Sequence, residues 1–348
     1  MYRDNMTDKR IASIIMAGGK GTRMSIPDKH KATFEVAGVP AITRLLDALA
    51  ETGITFNVIV VGAFAEQLMG VVAQTKYTPL YTFQPVQKGT GNAAKIGIHA
   101  LQQPGFDGDV VIVPGDAVIH PSILQTLVAT YQASQCDMAI LVMDKEYAPD
   151  FGHIIQDGEG KVLGSIEYWD IMKANLTKKM KSMLSVEEDA SGIITRVKEL
   201  LESNLKEEKR IAKVFPSIYQ AIKDFEAASA YGEDDDSAKS TLEMIGEAVR
   251  NSPEDFVIKG QHYDAEDLLQ NTKYVNVSIY LASAETWYEY IEHITSNNAQ
   301  NEEYLTDIMQ ILVDAGKEIV VVPLASPDDV MAFNTPEELE TINEHFQQ

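Results

Sequence analysis

Short runs dense in Val and Ile recur along this chain at residues 11–16, 57–61, 109–113, 138–143, 274–282 and 318–322. Between the early ones lie helix-length amphipathic segments at 41–51, 63–74 and 90–103. Strand-length apolar runs alternating with amphipathic crossovers constrain the fold strongly, because parallel strands need a connection that returns along a sheet face and apolar strands need cover on both faces. The pattern predicts an α/β fold, a doubly wound and mostly parallel sheet whose ligands sit at the carboxyl ends of the strands.

The rhythm breaks after Asp170. Residues 171–273 are charged and helical in composition, with apolar residues at helical spacing in Ile193, Ile194, Val197, Leu200 and Leu201. This reads as an inserted helical subdomain, residues 171–273, interrupting a main domain of residues 1–170 and 274–348. Within it residues 231–237, with four adjacent carboxylates, read as an exposed loop. A chain of 348 residues can bury a full core without staples, and a lone Cys136 excludes a disulfide framework and a Cys-rich zinc site. With a polar N-terminus and no apolar stretch long enough to span a bilayer, a cytoplasmic protein is expected. The net charge of -23 argues against nucleic acid and anionic membrane as partners. Residues 1–31 run against that balance, with seven basic and three acidic side chains, a local charge suited to a small phosphorylated substrate.

The turn after the first run is Met16-Ala17-Gly18-Gly19-Lys20-Gly21-Thr22-Arg23-Met24. Its glycines let backbone N–H groups approach a phosphate or a base. It is not a dinucleotide-binding fingerprint, since Met24 stands where the last glycine would be, and not a Walker A loop, since Gly21 rather than Ser or Thr follows Lys20. Pro27-Asp28-Lys29-His30-Lys31 and Gly38-Val39-Pro40 follow.

In these features the sequence resembles the sugar-1-phosphate nucleotidyltransferases, and within them the uridyltransferase domain of N-acetylglucosamine-1-phosphate uridyltransferases. Two later segments carry the likeness further: Gln84-Pro85-Val86-Gln87-Lys88-Gly89-Thr90-Gly91, similar to that family's uracil-reading loop, and Ser296-Asn297-Asn298-Ala299-Gln300 with Tyr304-Leu305-Thr306-Asp307, similar to its distal metal-binding segment. The resemblance covers residues 11–170 and 274–323 and implies a Rossmann-like catalytic domain that transfers a uridylyl group from UTP to a sugar-1-phosphate, with N-acetylglucosamine-1-phosphate the first choice and Mg²⁺ as cofactor. Another base or sugar on the same scaffold, or a noncatalytic nucleotide-sugar sensor, are the alternatives. Acetyl transfer is not expected.

The resemblance also implies roles. Met16, Ala17, Gly18, Gly19, Gly21 and Thr22 would cradle the nucleotide, with Arg23 on the leaving phosphates. Asp116, closing the run Val110-Val111-Ile112-Val113-Pro114-Gly115-Asp116, would share Mg²⁺ with Asn298, and Pro114 and Gly115 would line the site. Counting back from Gly38 makes Lys31 the signature lysine, counting forward from Pro27 makes it Lys29, and Lys31 is preferred. His30 reads as a polar loop residue. Gln84, Gly89 and Thr90 would read the base, and Gly152, Glu167 and Asn276 would contact the sugar. Two departures fall on the acceptor side: Trp169 where a lysine often stands, and Ser278 where the family has glycine. The insertion is expected to cap the sugar site or to form a homo-oligomer interface, with a solvent-side decoration as the alternative. No general base is required, because a phosphate monoester is already largely dianionic near neutral pH.

Overall fold

A computed structural model describes residues 10–19, 24, 28–186, 189–230, 235–298 and 302–346. The chain divides into two compact units, one of Met1–Ser165, Lys273–Ser296 and Glu302–Gln348, the other of Ile166–Thr272 with Asn297–Asn301.

The first unit is built on a nine-stranded sheet. Its strands are β1 (Ile11–Ala17), β2 (Phe56–Val61), β3 (Leu80–Phe83), β4 (Asp109–Pro114), β5 (Met138–Asp144), β6 (His153–Gln156), β7 (Val162–Ile166), β8 (Tyr274–Ser283) and β9 (Ile319–Pro323). The path runs β7-β6-β8-β4-β1-β2-β3, with β5 pairing both β8 and β9. β1 lies parallel to β2 and to β4, β2 to β3 and β5 to β9, whereas β8 runs antiparallel to β4, β5 and β6. Alternation along β1 sends Ile15 and Ala17 to one face and Ala12 and Ile14 to the other, each into its own buried cluster. Helices α1 (Ala41–Glu51), α2 (Ala65–Val72) and α4 (Pro121–Ser134) cover the first face. The second is covered by α3 (Thr90–Gln102) with the later segments Ala284–Tyr290 and Asp307–Asp314. The sheet is therefore doubly wound and mostly parallel, with one antiparallel strand at its centre.

In the second unit the helices Tyr168–Leu184, Ala190–Leu205, Glu208–Val214, Pro216–Ser229 and Asp235–Arg250 gather around Leu176, Met180, Val197, Leu205 and Ile245. Composition alone missed a two-stranded hairpin here, Asp255–Ile258 against Gln261–Asp264. Its two turn residues, Lys259 and Gly260, both have positive φ, the geometry that lets a two-residue turn follow the strand twist. Of the expected acidic loop, Tyr231 to Asp234 lie outside the described residues, and Asp235 already begins a helix. Among the described residues no helix is long and apolar enough to cross a membrane.

Candidate active site

β1 and β4 are adjacent and parallel, so their carboxyl ends emerge side by side. Met16 to Gly19 leave the first, Pro114 to Asp116 the second, and the Gly115 N–H donates to the Met16 carbonyl at 2.9 Å. A side chain on Gly115 would come within 2.8 Å of the Ala17 Cβ, so glycine there is what lets the two strand ends close up. Between them opens a cavity of about 360 Å³ whose lining includes Ala17, Gly19, Lys31, Thr90, Asp116 and Asn334.

Lys31 reaches across it. Its Nζ is ion-paired with Asp116, donates to Asn334 Oδ1 at 2.9 Å and lies 5.5 Å from the centre of the Phe333 ring. Lys29 is turned elsewhere, with its Nζ 4.4 Å over Phe34, so Lys31 is the lysine of the cavity. Asn334 escaped sequence reading altogether. It arrives from 303 residues along the chain because Val330–Met331 pairs antiparallel with Val118–Ile119, just beyond Asp116. The fully buried Phe333 then anchors it in a small core with Phe34, Val36 and Val118. The one available signal was the sequence around it: Asn334-Thr335-Pro336 is a helix start, with the Thr335 side chain capping Pro336–His345.

His30, read from the sequence as a polar loop residue, is buried and built into the fold. It is 2% exposed and bonded at both ring nitrogens, and burial holds its pKa below the ordinary imidazole value.

The expected base loop is assembled from several segments. Gln84 is buried, its Nε2 donates to Asn92 Oδ1 at 2.9 Å, and its Oε1 occupies the space a side chain at Gly18 would need. Gln87, which sequence reading left without a role, donates to the Gly18 carbonyl. Gly89 has φ 110° and ψ 176°, a conformation open essentially to glycine alone, and a Cβ there would strike the Glu303 backbone. Thr90 starts α3, and its Oγ1 accepts from the Leu305 N–H at 3.1 Å. The segment around Glu303 is stitched onto this loop: its N–H donates to the Lys88 carbonyl at 2.6 Å, its carbonyl accepts from the Gly91 N–H at 2.7 Å, and its carboxylate pairs with Lys95 at 3.0 Å.

Gly21, Thr22 and Arg23 lie outside the described residues. Asn298 is grouped with the second unit, and the amide oxygen beside Lys31 within the first unit is that of Asn334. Glu167 precedes the helix Tyr168–Leu184 of the second unit. Gly152 accepts from the Asn276 N–H at 2.8 Å, and neither residue lines the cavity. Asn276 is buried and spends its side chain inside the fold. Its Nδ2 donates to Tyr280 Oη at 2.5 Å, and its Oδ1 accepts from the Ser278 N–H at 3.0 Å. The second bond holds Ser278 at φ 61° where the register between β8 and β5 shifts, which explains why the resembled family has glycine at this position.

A divalent cation fits this donor set. Among the described residues no three His, Cys, Asp or Glu side chains gather as a closed metal cage. Lys31 pairs with Asp116 through Oδ2, and the Oδ1 of the same carboxylate is the hard oxygen donor that Mg²⁺ takes from a protein when waters and substrate phosphates supply most of its shell.

Comparisons with known proteins agree with this architecture. The chain is 34% identical over 170 residues to the bifunctional protein GlmU of Rhizorhabdus wittichii, covering 47% of this chain and 36% of that protein. It is 31% identical over 163 residues to GlmU of Staphylococcus saprophyticus, covering 47% and 35%. The chain thus spans about a third of the length of these curated relatives. In fold it is similar to a UDP-glucose pyrophosphorylase solved with UDP-glucose, at TM-score 0.58, 15% identity and coverage of 97% and 98%. A Bacillus anthracis protein assigned as a glucose-1-phosphate thymidylyltransferase, solved with sucrose, gives TM-score 0.56, 15% identity and coverage of 96% and 94%. Residues 13–196, more than half of the chain and the stretch that holds the glycine turn, Lys31 and Asp116, match the MobA-like NTP transferase domain, and the chain belongs to that family.

Proposed function

We propose that this protein is a nucleotidyltransferase that moves a nucleoside monophosphate from an NTP to a sugar-1-phosphate and releases pyrophosphate. The finer reading is uridylyl transfer from UTP to N-acetylglucosamine-1-phosphate in the presence of Mg²⁺. The observation that carries it is the convergence of Lys31, Asp116 and Asn334 on one cavity bounded by the Gly18-Gly19 turn. The uridylyl and N-acetylglucosamine assignments rest on the resemblance of residues 84–91 and of the flanking motifs to the uridyltransferases.

In this reading the glycine turn receives the triphosphate on its backbone N–H groups, and Arg23 holds the leaving phosphates with a fork suited to their oxygens. Lys31 is a cation held in place before substrate arrives, so it neutralises charge on the transferred phosphate without reorganising. Asp116, with Asn298 as the second ligand that the family resemblance implies, would hold Mg²⁺, which supplies further charge neutralisation on phosphate oxygens. The acceptor's phosphate attacks as an anion, leaving positioning as the protein's main task. Gln84, Gly89 and Thr90 select the base, and Gly152, Asn276 and Glu167 belong to the acceptor side.

The test is to incubate the protein with Mg²⁺, each of four NTPs and a panel of sugar-1-phosphates while following pyrophosphate. Release with UTP and N-acetylglucosamine-1-phosphate above every other pair is expected. Release with a different pair would keep the reaction and replace its substrates, and binding of a UDP-sugar with no release from any pair would make the protein a sensor.

A further inference from the structure

The turn that carries Lys31 encloses an imidazole for which the proposed reaction has no use. His30 Nε2 lies 2.8 Å from the Ala17 carbonyl oxygen, and its Nδ1 lies 3.1 Å from the Ala32 nitrogen. A carbonyl oxygen only accepts and a backbone N–H only donates, so the ring carries its single proton on Nε2 and is neutral. One edge of a rigid plane is thereby fastened to the last residue of β1, and the other to the residue after Lys31. Outside the turn, Gln67 of α2 grips both ends: its Oε1 accepts from the His30 N–H at 2.9 Å, and its Nε2 donates to the Asp28 carbonyl at 2.7 Å. The Thr33 hydroxyl donates to the His30 carbonyl at 2.7 Å.

We infer that His30 is a positioning residue, a strut that fixes Lys31 relative to the end of β1, where the Gly18-Gly19 turn begins. A lysine side chain has four rotatable carbons and places its ammonium reproducibly only when its backbone is immobile and its head is held. Asp116 and Asn334 hold the head, and His30 holds the backbone against the strand that leads into the glycine turn. No proton moves in this role. Its importance for turnover rests on the transfer proposed above; the placement of Lys31 does not.

Two substitutions separate the ring's two bonds. His30→Asn keeps an acceptor for the Ala32 N–H and loses the reach to Ala17, whereas His30→Gln carries an amide N–H long enough to meet the Ala17 carbonyl. With melting temperatures close to wild type, His30→Asn is expected to lose about tenfold to a hundredfold in kcat at unchanged KM for the acceptor, and His30→Gln to recover most of it. Wild-type kcat in His30→Asn, or losses in both variants that simply follow their melting temperatures, would overturn the inference. A readout independent of turnover is the acylation rate of Lys31 by an amine-reactive ester, read by peptide mass mapping. It should rise severalfold in His30→Asn and return in His30→Gln. An unchanged rate overturns the strut, and a changed rate in a protein that releases no pyrophosphate with any substrate pair sinks only the transfer reaction.

Discussion

Of the side chains that meet in the cavity, the carboxylate is the most direct to test. Asp116→Ala removes the carboxylate proposed to hold the metal and frees Lys31 from its pair, so pyrophosphate release should fall about a hundredfold or more while the melting curve stays cooperative. Near-normal turnover would remove Asp116 from the site. His30 gives the site an acid limit. Burial lowers its folded-state pKa from the ordinary 6.5, so the unfolded chain takes up a proton more readily than the folded one. The stabilisation it contributes is complete above 6.5 and declines as pH falls toward the lower folded value, so the urea midpoint should drop on going from pH 7 to pH 5 by more in wild type than in His30→Gln. Ser278 is a residue of opposite kind, strained and retained. Ser278→Gly should raise stability by about 1 kcal/mol, seen as a higher urea midpoint at constant slope, because glycine accepts the left-handed backbone that serine resists.

At the scale of elements, the sequence makes the sheet legible and hides what closes the site. The runs around Ile14, Ile59, Val111 and Ile140 are buried on both faces and correspondingly continuous in Val and Ile, which is why they can be read as strands. Leu80–Phe83 could not be read the same way: it is a four-residue edge strand after a proline, and its Leu80 and Phe83 remain exposed. Lys31 and Asp116 sit in local motifs that can be read from the sequence. Asn334 gains its place from a two-residue ladder between distant segments, which no local pattern encodes. Neither the buried state of His30 nor the internal use of Asn276 can be read from neighbours in sequence, because both depend on carbonyls and hydroxyls brought in by tertiary contacts. The junction between residues 84–91 and the segment around Glu303 can be probed at one position. Gly89→Ala puts a Cβ into backbone while forcing alanine to φ 110°, so a loss of roughly 2–4 kcal/mol is expected, together with weaker nucleotide binding by calorimetric titration.

For the molecule as a whole, two separate cores set the behaviour. Leu176, Val197 and Ile245 close one, and the two faces of the nine-stranded sheet close the other. Scanning calorimetry should therefore resolve two transitions, and a nucleoside triphosphate with Mg²⁺ should raise only the one belonging to the sheet, since a ligand stabilises the unit that binds it. A single transition shifted as a whole would show the two to be thermodynamically one. The short ladder joining Val118–Ile119 to Val330–Met331 also bears on the making of the protein. Lys31 leaves the ribosome 303 residues ahead of Asn334, an interval of about 15–60 s at ordinary elongation rates. A nascent chain thus carries its lysine and its carboxylate well before the amide that completes the cluster, or the late strands β8 and β9, have been synthesised.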